Sequence, residues 1–257
     1  MTGIEFAEVL GVGFAAGIVG SLLGVGGGVV LVPGLSLLLG MPFREAVATS
    51  LVSVVATSVA GSIVYLRGGL IELPIAVELQ FFTVIGAVGG GLMVAMVPEG
   101  PLHLAFAALL VYAGLSMMPT RRAESTRQVV RPARRGERSL AATASLGGGL
   151  VAGLLGVGGG IIFVPVIHLL LRRSFSVAAA TSIYMIGITA GSGALVYLIR
   201  GDVVAPVTAV AVLGVLFGST LAAHARGRIA DRPLQVAFAL LLFYVAFKMA
   251  SHSVGNG

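Results

Sequence analysis

The sequence predicts an all-α polytopic membrane protein. It is built from two inverted repeats, each opening on a glycine-broken segment followed by three spanning helices. Three observations predict this. First, 57% of the 257 residues are hydrophobic and 10% are charged, where a soluble domain is about a quarter charged. Runs of about 20 apolar residues recur, each long enough to cross a hydrocarbon core. Second, the chain repeats itself. Residues 17–33, GIVGSLLGVGGGVVLVP, return 132 positions later as GLVAGLLGVGGGIIFVP, with eleven of the seventeen positions identical. Third, the basic residues are unevenly distributed among the loops, and that asymmetry reports orientation.

Residues 4–39 form a largely apolar stretch, too long for one ordinary span, with GVGGG in its middle. Glycine costs about 1 kcal/mol against alanine in a helix interior, and three in a row invite a break. Pro33 lacks an amide donor and suits the first turn of a new helix. The expectation is a helix ending near Leu23 and a shorter one starting between Gly28 and Pro33. Non-helical backbone at membrane depth survives only where protein or a wet cavity covers it. Spans are expected at residues 43–66, 73–97 and 102–118. Glu5 and Glu8 stand where a secretory signal would need positive charge, so the first apolar segment is expected to stay in the mature chain.

Residues 1–118 thus read as the first repeat and 119–139 as a solvated linker. The linker is rich in arginine: Arg121, Arg122, Arg127, Arg131, Arg134, Arg135 and Arg138. Such a cluster is the mark of a cytoplasmic loop facing anionic lipid heads, and it does not require nucleic acid. Residues 140–257 repeat the plan, with a second break inside 140–171 and spans at 175–199, 203–225 and 234–250. Ala48, Thr49 and Ser50 match Ala180, Thr181 and Ser182 at the same offset. Thr57 matches Thr189, Gly61 matches Gly193, Tyr65 matches Tyr197, and Pro101 and Tyr112 match Pro233 and Tyr244.

Orientation follows from counting Lys and Arg. If each broken segment is a single crossing, the halves are parallel and ten basic residues lie on the linker side against six opposite. If each broken segment returns to its starting side or crosses twice, the halves are inverted. Thirteen then lie with the linker, and only Arg44, Arg200 and Lys248 lie opposite. The second distribution obeys the positive-inside bias far better. It puts the linker in the cytoplasm and both termini outside.

The chemistry expected of this chain centres on the two breaks. Helix packing asks for glycine on one face at every third or fourth position, and Gly86, Gly89, Gly90 and Gly91 suit that role. GVGGG puts glycine on every face, which ends a helix. The bare amides that start the next helix carry roughly half a positive charge, and glycine lets a ligand reach the backbone. Gly26, Gly27, Gly28, Gly158, Gly159 and Gly160 are therefore the predicted anion cradle. Thr49, Ser50, Thr181 and Ser182 are predicted hydroxyl donors to the same anion, with a bond to a neighbouring helix's backbone as the competing reading. An intramembrane carboxylate is a functional hypothesis by default, so Glu78 is a candidate for ion coupling, although so near Pro74 it also reaches the interface. His168, within the second broken segment, is the other candidate, against a packed histidine.

The enzymatic signals are weak. GVGGG lacks the Lys-Ser/Thr of a P-loop and does not complete G-x-G-x-x-G. There is no H-E-x-x-H, and the histidines are scattered. Ser192 has no histidine at a suitable spacing for a hydrolase. With no cysteine, disulfides and thiolate sites are excluded. No enzyme activity, cofactor or metal is expected, and no nucleotide-binding domain is present to supply ATP drive.

The duplicated G-x-x-G/A-x-x-x-G-x-G-G-G-x-x-x-x-P pattern, followed by A-T-S, resembles that of the sulfite exporter TauE/SafE family. In this chain the motif falls on Gly20, Gly24, Gly26, Gly27, Gly28 and Pro33. It falls again on Gly156, Gly158, Gly159, Gly160 and Pro165, with Ala152 in place of the first glycine. The resemblance covers nearly the whole chain. It implies a multi-pass inner-membrane transporter of a sulfur-containing anion such as sulfite, sulfoacetate or thiosulfate. The expected partners are that small anion and the lipid bilayer, not nucleic acid. An anion channel and, at greater distance, a membrane-embedded enzyme are the alternative readings.

Overall fold

A computed structural model describes residues 3–117, 135–225, 239–249 and 251. Arg121, Arg122, Arg127, Arg131, Arg134, Arg226, Arg228, Arg232, Pro233 and residues 252–257 lie outside the described residues, as does most of the expected linker.

Every regular element described is helical. In order they are α1 Gly3–Leu23, α2 Gly28–Leu38, α3 Phe43–Arg67, α4 Leu73–Met93 and α5 Glu99–Met117, then α6 Arg135–Leu155, α7 Gly160–Pro165, α8 Phe175–Arg200, α9 Ala205–Ala225 and α10 Ala239–Met249. A 3₁₀ turn, Val94–Met96, extends α4 up to Val97, the residue before Pro98, where a helix has to stop. A π-helical turn, Val166–Leu170, extends α7. Among the described residues, six helices are long and apolar enough to cross a membrane: α1, α3, α4, α6, α8 and α9. α6 begins at Arg135, so residues 135–139 of the expected linker form its first turn.

The 132-residue offset carries over into the fold. Gly3–Leu23 corresponds to Arg135–Leu155, and Leu73–Met93 to Ala205–Ala225, at both ends. The helix ends use local sequence. Pro74 starts α4 where a missing amide donor costs nothing. The Ser174 hydroxyl accepts from the Val177 amide at the start of α8, and Gly201, with φ 81°, closes its end.

α2 folds back along α1. A Cβ on Gly27 would meet the Ala16 carbonyl oxygen at 2.5 Å, and one on Gly34 would meet Val12 at 2.5 Å. Later residues of α2 thus lie beside earlier residues of α1. With 11 residues α2 is roughly 16 Å long, about half a hydrocarbon core, so the broken segment returns toward the side it came from. α3 then runs alongside α1 in the same direction. Ala46 packs in one cluster with Val9, and the Tyr65 hydroxyl donates to the Ser21 carbonyl at 3.1 Å.

The halves interlock. α1 packs against α9, and α4 against α6, both pairs in the same direction. The seams are glycine: Gly13 and Gly17 press on the Ala211 and Val215 backbone, and Gly86 and Gly90 on the Leu146 and Leu150 carbonyls. Small residues spaced by four let membrane helices approach this closely. Gly91 faces Val196, whereas Gly89 meets nothing within 4 Å. Of the four glycines expected to pack, three do so.

α3 and α8, the equivalent helices of the two halves, cross at the centre in opposite directions. Gly61 lies against Ile183, Ser58 against Gly187, Val55 against Gly191 and Leu51 against Gly193. The Ser58 hydroxyl donates to the Ile183 carbonyl at 2.6 Å.

Candidate anion site at the paired helix breaks

Each break is set by backbone geometry. Gly24, Gly26 and Gly27 have φ of 76°, 84° and 77°, and Gly156, Gly158 and Gly159 have 74°, 74° and 81°. An L-residue in that region costs roughly 1–2 kcal/mol, so each of these positions favours glycine, with Val25 and Val157 interposed. Gly28 and Gly160 are needed for a different reason. A Cβ on Gly160 would stand 2.6 Å from the Gly24 carbonyl oxygen, and one on Gly28 would collide with the Gly156 carbonyl. The first break therefore lies directly against the second. The structure brings together the two stretches that stand 132 residues apart in the chain, and both are fully buried.

At each break a helix starts without an N-cap side chain. Among the described residues no acceptor meets the amides of Gly28 and Val29, nor those of Gly160 and Ile161. A buried amide without a partner costs free energy comparable to a lost hydrogen bond. Two such helix starts, back to back in a protein core, form a positive region without a cationic side chain.

The carbonyls of the breaks, by contrast, are satisfied. Ser50 Oγ donates to the Gly156 oxygen at 2.7 Å, and Ser182 Oγ donates to the Gly24 oxygen at 3.1 Å. Each bond runs from one half to the other. Both serines were expected to face an anion, and in this conformation their protons are held by the opposite break. Thr49 Oγ1 pairs with Thr208 Oγ1 at 3.1 Å, and Thr181 Oγ1 accepts from the Glu72 amide at 3.0 Å. Tyr65 reaches Ser21, and Tyr197 reaches the Gly153 carbonyl at 3.0 Å, which ties off the ends of α1 and α6. The tyrosines repeat at the motif's offset, and that was the signal for this role.

Val54 and its equivalent Ile186 close the site. A Cβ on Gly26 would meet Ile186 at 3.0 Å and Val54 at 3.1 Å. One on Gly158 would meet the same two side chains at 2.7 and 2.8 Å. Both breaks therefore lie beneath one apolar pair.

The coupling candidates sit elsewhere. Glu78 is on the first turns of α4, exposed, 3.5 Å from Arg138. His168 lies in the π-helical turn, and its Nδ1 donates to the Arg173 carbonyl at 2.7 Å. Ser192 bonds back to the Ile188 carbonyl, as a serine on a helix surface does.

Two features had no sequence signal. Gln80 Nε2 donates to Thr83 Oγ1 and Thr189 Oγ1 at 2.9 and 3.1 Å, joining α4 to α8. Arg173 forks onto Glu72, with Nε to Oε2 at 2.6 Å and Nη2 to Oε1 at 2.7 Å. Each joins residues about a hundred positions apart, and only the fold brings them together.

The sulfite exporter TauE/SafE family matches over residues 9–249. The chain is similar to the probable membrane transporter protein YunE of Bacillus subtilis (strain 168), at 24% identity over 96% of this chain and 97% of that protein. It is also similar to the probable membrane transporter protein YdhB of the same organism, at 23% identity over 74% of this chain and 78% of the relative. No solved structure matches it.

Proposed function

The chain belongs to the sulfite exporter TauE/SafE family, and on that premise we propose that it is a secondary transporter that exports a sulfur-containing oxyanion or organosulfonate across the inner membrane. The observation that carries the reading is the meeting of two buried helix starts whose amides have no acceptor among the described residues. A compact, delocalised negative charge is the ligand such amides suit. Holding it with dipoles avoids an arginine at membrane depth, which costs about 2.5–3.5 kcal/mol on the insertion scale.

The site residues of this reading are Gly26, Gly27, Gly28, Gly158, Gly159 and Gly160. Thr49, Ser50, Thr181 and Ser182 shape it. In the carrier cycle the serine hydroxyls exchange the opposite carbonyl for the anion. Val54 and Ile186 over both breaks support a carrier rather than a channel, since a channel needs a continuous open path.

The opposed directions of α3 and α8, and the return of α2 along α1, support inverted halves; the positive-inside bias then puts the linker in the cytoplasm and both termini outside. With parallel halves, equivalent helices would run the same way.

Purified protein in proteoliposomes tests the proposal, with sulfite, sulfate, thiosulfate, sulfoacetate, taurine and a carboxylate as cargo. Saturable flux of one or more sulfur anions is expected. Conductance above any carrier turnover would select a channel, and consumption of the solute without flux would select an enzyme.

A further inference from the structure

At the face where α3 ends and α8 begins, four charged side chains lie together. Arg173 forks onto Glu72, and this pair is mostly buried, with 11% and 29% of the side chains exposed. Glu78 lies 3.5 Å from Arg138. Members of both pairs, Glu78, Arg138 and Arg173, line one pocket together with Ile75, Leu79, Ala141 and Leu171. The Glu72–Arg173 pair ties the α3–α4 loop of one half to the loop preceding α8 of the other.

This bond is connected to the breaks. The Glu72 amide donates to Thr181, and the next residue, Ser182, holds the Gly24 carbonyl. At the opposite face the pseudo-equivalent positions of Glu72 and Arg173 are Val204 and Met41. There the Thr49 hydroxyl pairs with the Thr208 hydroxyl. The fold repeats, but the ion pair does not, so the helical framework has no need of it. What it provides is a reversible tie on one face.

We propose that the Arg138–Arg173 pocket is an entry site for an oxyanion on this face, and that an anion bound there takes Arg173 from Glu72 and unlocks the path to the breaks. A guanidinium fork matches a sulfonate or carboxylate equally well, so the incoming anion replaces Glu72 in kind. Arg138 supplies the second cation, released from the exposed and weak pairing with Glu78. Arg173 at the rim then never faces an empty apolar site without a counter-charge, which would be costly. This inference rests on the transport reading above and adds its gate.

The absence of cysteine in the chain provides a clean probe. Ala178, on the first turn of α8, is fully buried. In nanodiscs, an Ala178→Cys protein should react slowly with a membrane-impermeant maleimide. Adding Glu72→Gln should speed labelling about tenfold by shifting the population toward the open face. Reversing the pair, Glu72→Arg with Arg173→Glu, should restore the slow rate. Where Glu72→Gln fails to fold, Arg173→Lys, which keeps the charge and loses the fork, should accelerate labelling in the same direction. Sulfoacetate should speed labelling of the parent Ala178→Cys protein, and Arg138→Gln should abolish that effect. Labelling unchanged by breaking the pair, or a sulfoacetate effect that survives Arg138→Gln, overturns the proposal. The same proteins are assayed for flux. Flux with labelling insensitive to the pair rejects the gate alone, whereas labelling that follows the pair without any anion flux rejects the transport reading.

Discussion

The Ser50 hydroxyl donates to the Gly156 carbonyl at 2.7 Å, 106 residues away, and Ser182 returns the bond to Gly24 at 3.1 Å. Two reciprocal hydrogen bonds thus hold each helix break against a helix of the other half. The second break is tied in this way to α3 and the first to α8.

Removing one of these donors leaves a buried carbonyl unpaired, which costs about 1–3 kcal/mol. Ser50→Ala and Ser182→Ala should each lower thermal stability in detergent. The double variant should lose roughly the sum, because the two bonds serve different carbonyls. Differential scanning fluorimetry checks this, and an unchanged midpoint in either single variant contradicts it.

The glycine positions separate into two kinds. Gly27→Ala and Gly159→Ala force a side chain into left-handed backbone at about 1–2 kcal/mol each, and each should cost more than that because the added Cβ meets the Ala16 carbonyl oxygen at 2.5 Å or the Phe163 ring at 2.6 Å. Gly27→Val and Gly159→Val should abolish transport while leaving protein in the membrane. Normal flux by both valine variants would remove the cradle. Gly11, with nothing within 4 Å of an added Cβ, should accept alanine with a gain of up to ~1 kcal/mol.

The glycine seams make a sharper contrast on one helix. Gly90→Val places its side chain on the Leu150 carbonyl of α6, whereas Gly89 has open space. Gly90→Val should greatly reduce the monodisperse fraction after chromatography, and Gly89→Ala should leave it unchanged.

Topology is tested with reporters. A fusion after Gly257 should read outside and one within the linker should read inside. A cytoplasmic reading after Gly257 defeats the inverted arrangement.

Glu78 is half-exposed and paired with Arg138. Glu78→Gln should therefore change stability by less than about 1 kcal/mol. Flux measured against external pH then isolates any role in coupling. Proton dependence should fall if Glu78 carries the proton, and an unchanged profile clears it.

Much of the architecture was legible in the chain. The end of α1 at Leu23 and the start of α2 at Gly28 bracket GVGGG as expected, although Pro33 lies inside α2 and not in its first turn. Three adjacent glycines do not by themselves end a helix, since Gly89, Gly90 and Gly91 lie inside α4 and Gly147, Gly148 and Gly149 inside α6; the break comes from the left-handed backbone at Gly24, Gly26 and Gly27. The role of Gly28 was only half legible. Its type marks the break, but its reason is the Gly156 carbonyl, which the sequence does not locate. Thr49 and Ser50 were legible as polar positions and not as partners, since a hydroxyl's acceptor depends on which helix crosses it.

The sequence by itself determined the class, the duplication and the place of both breaks. These follow from local properties: apolar length against bilayer thickness, and backbone freedom at glycine. Only the tertiary structure decided which residues of α3 and α8 meet where they cross, that each break is tied by the other half's serine, and that Arg173 holds Glu72. Those facts depend on distances between residues about a hundred positions apart, which close packing sets and which no local pattern encodes.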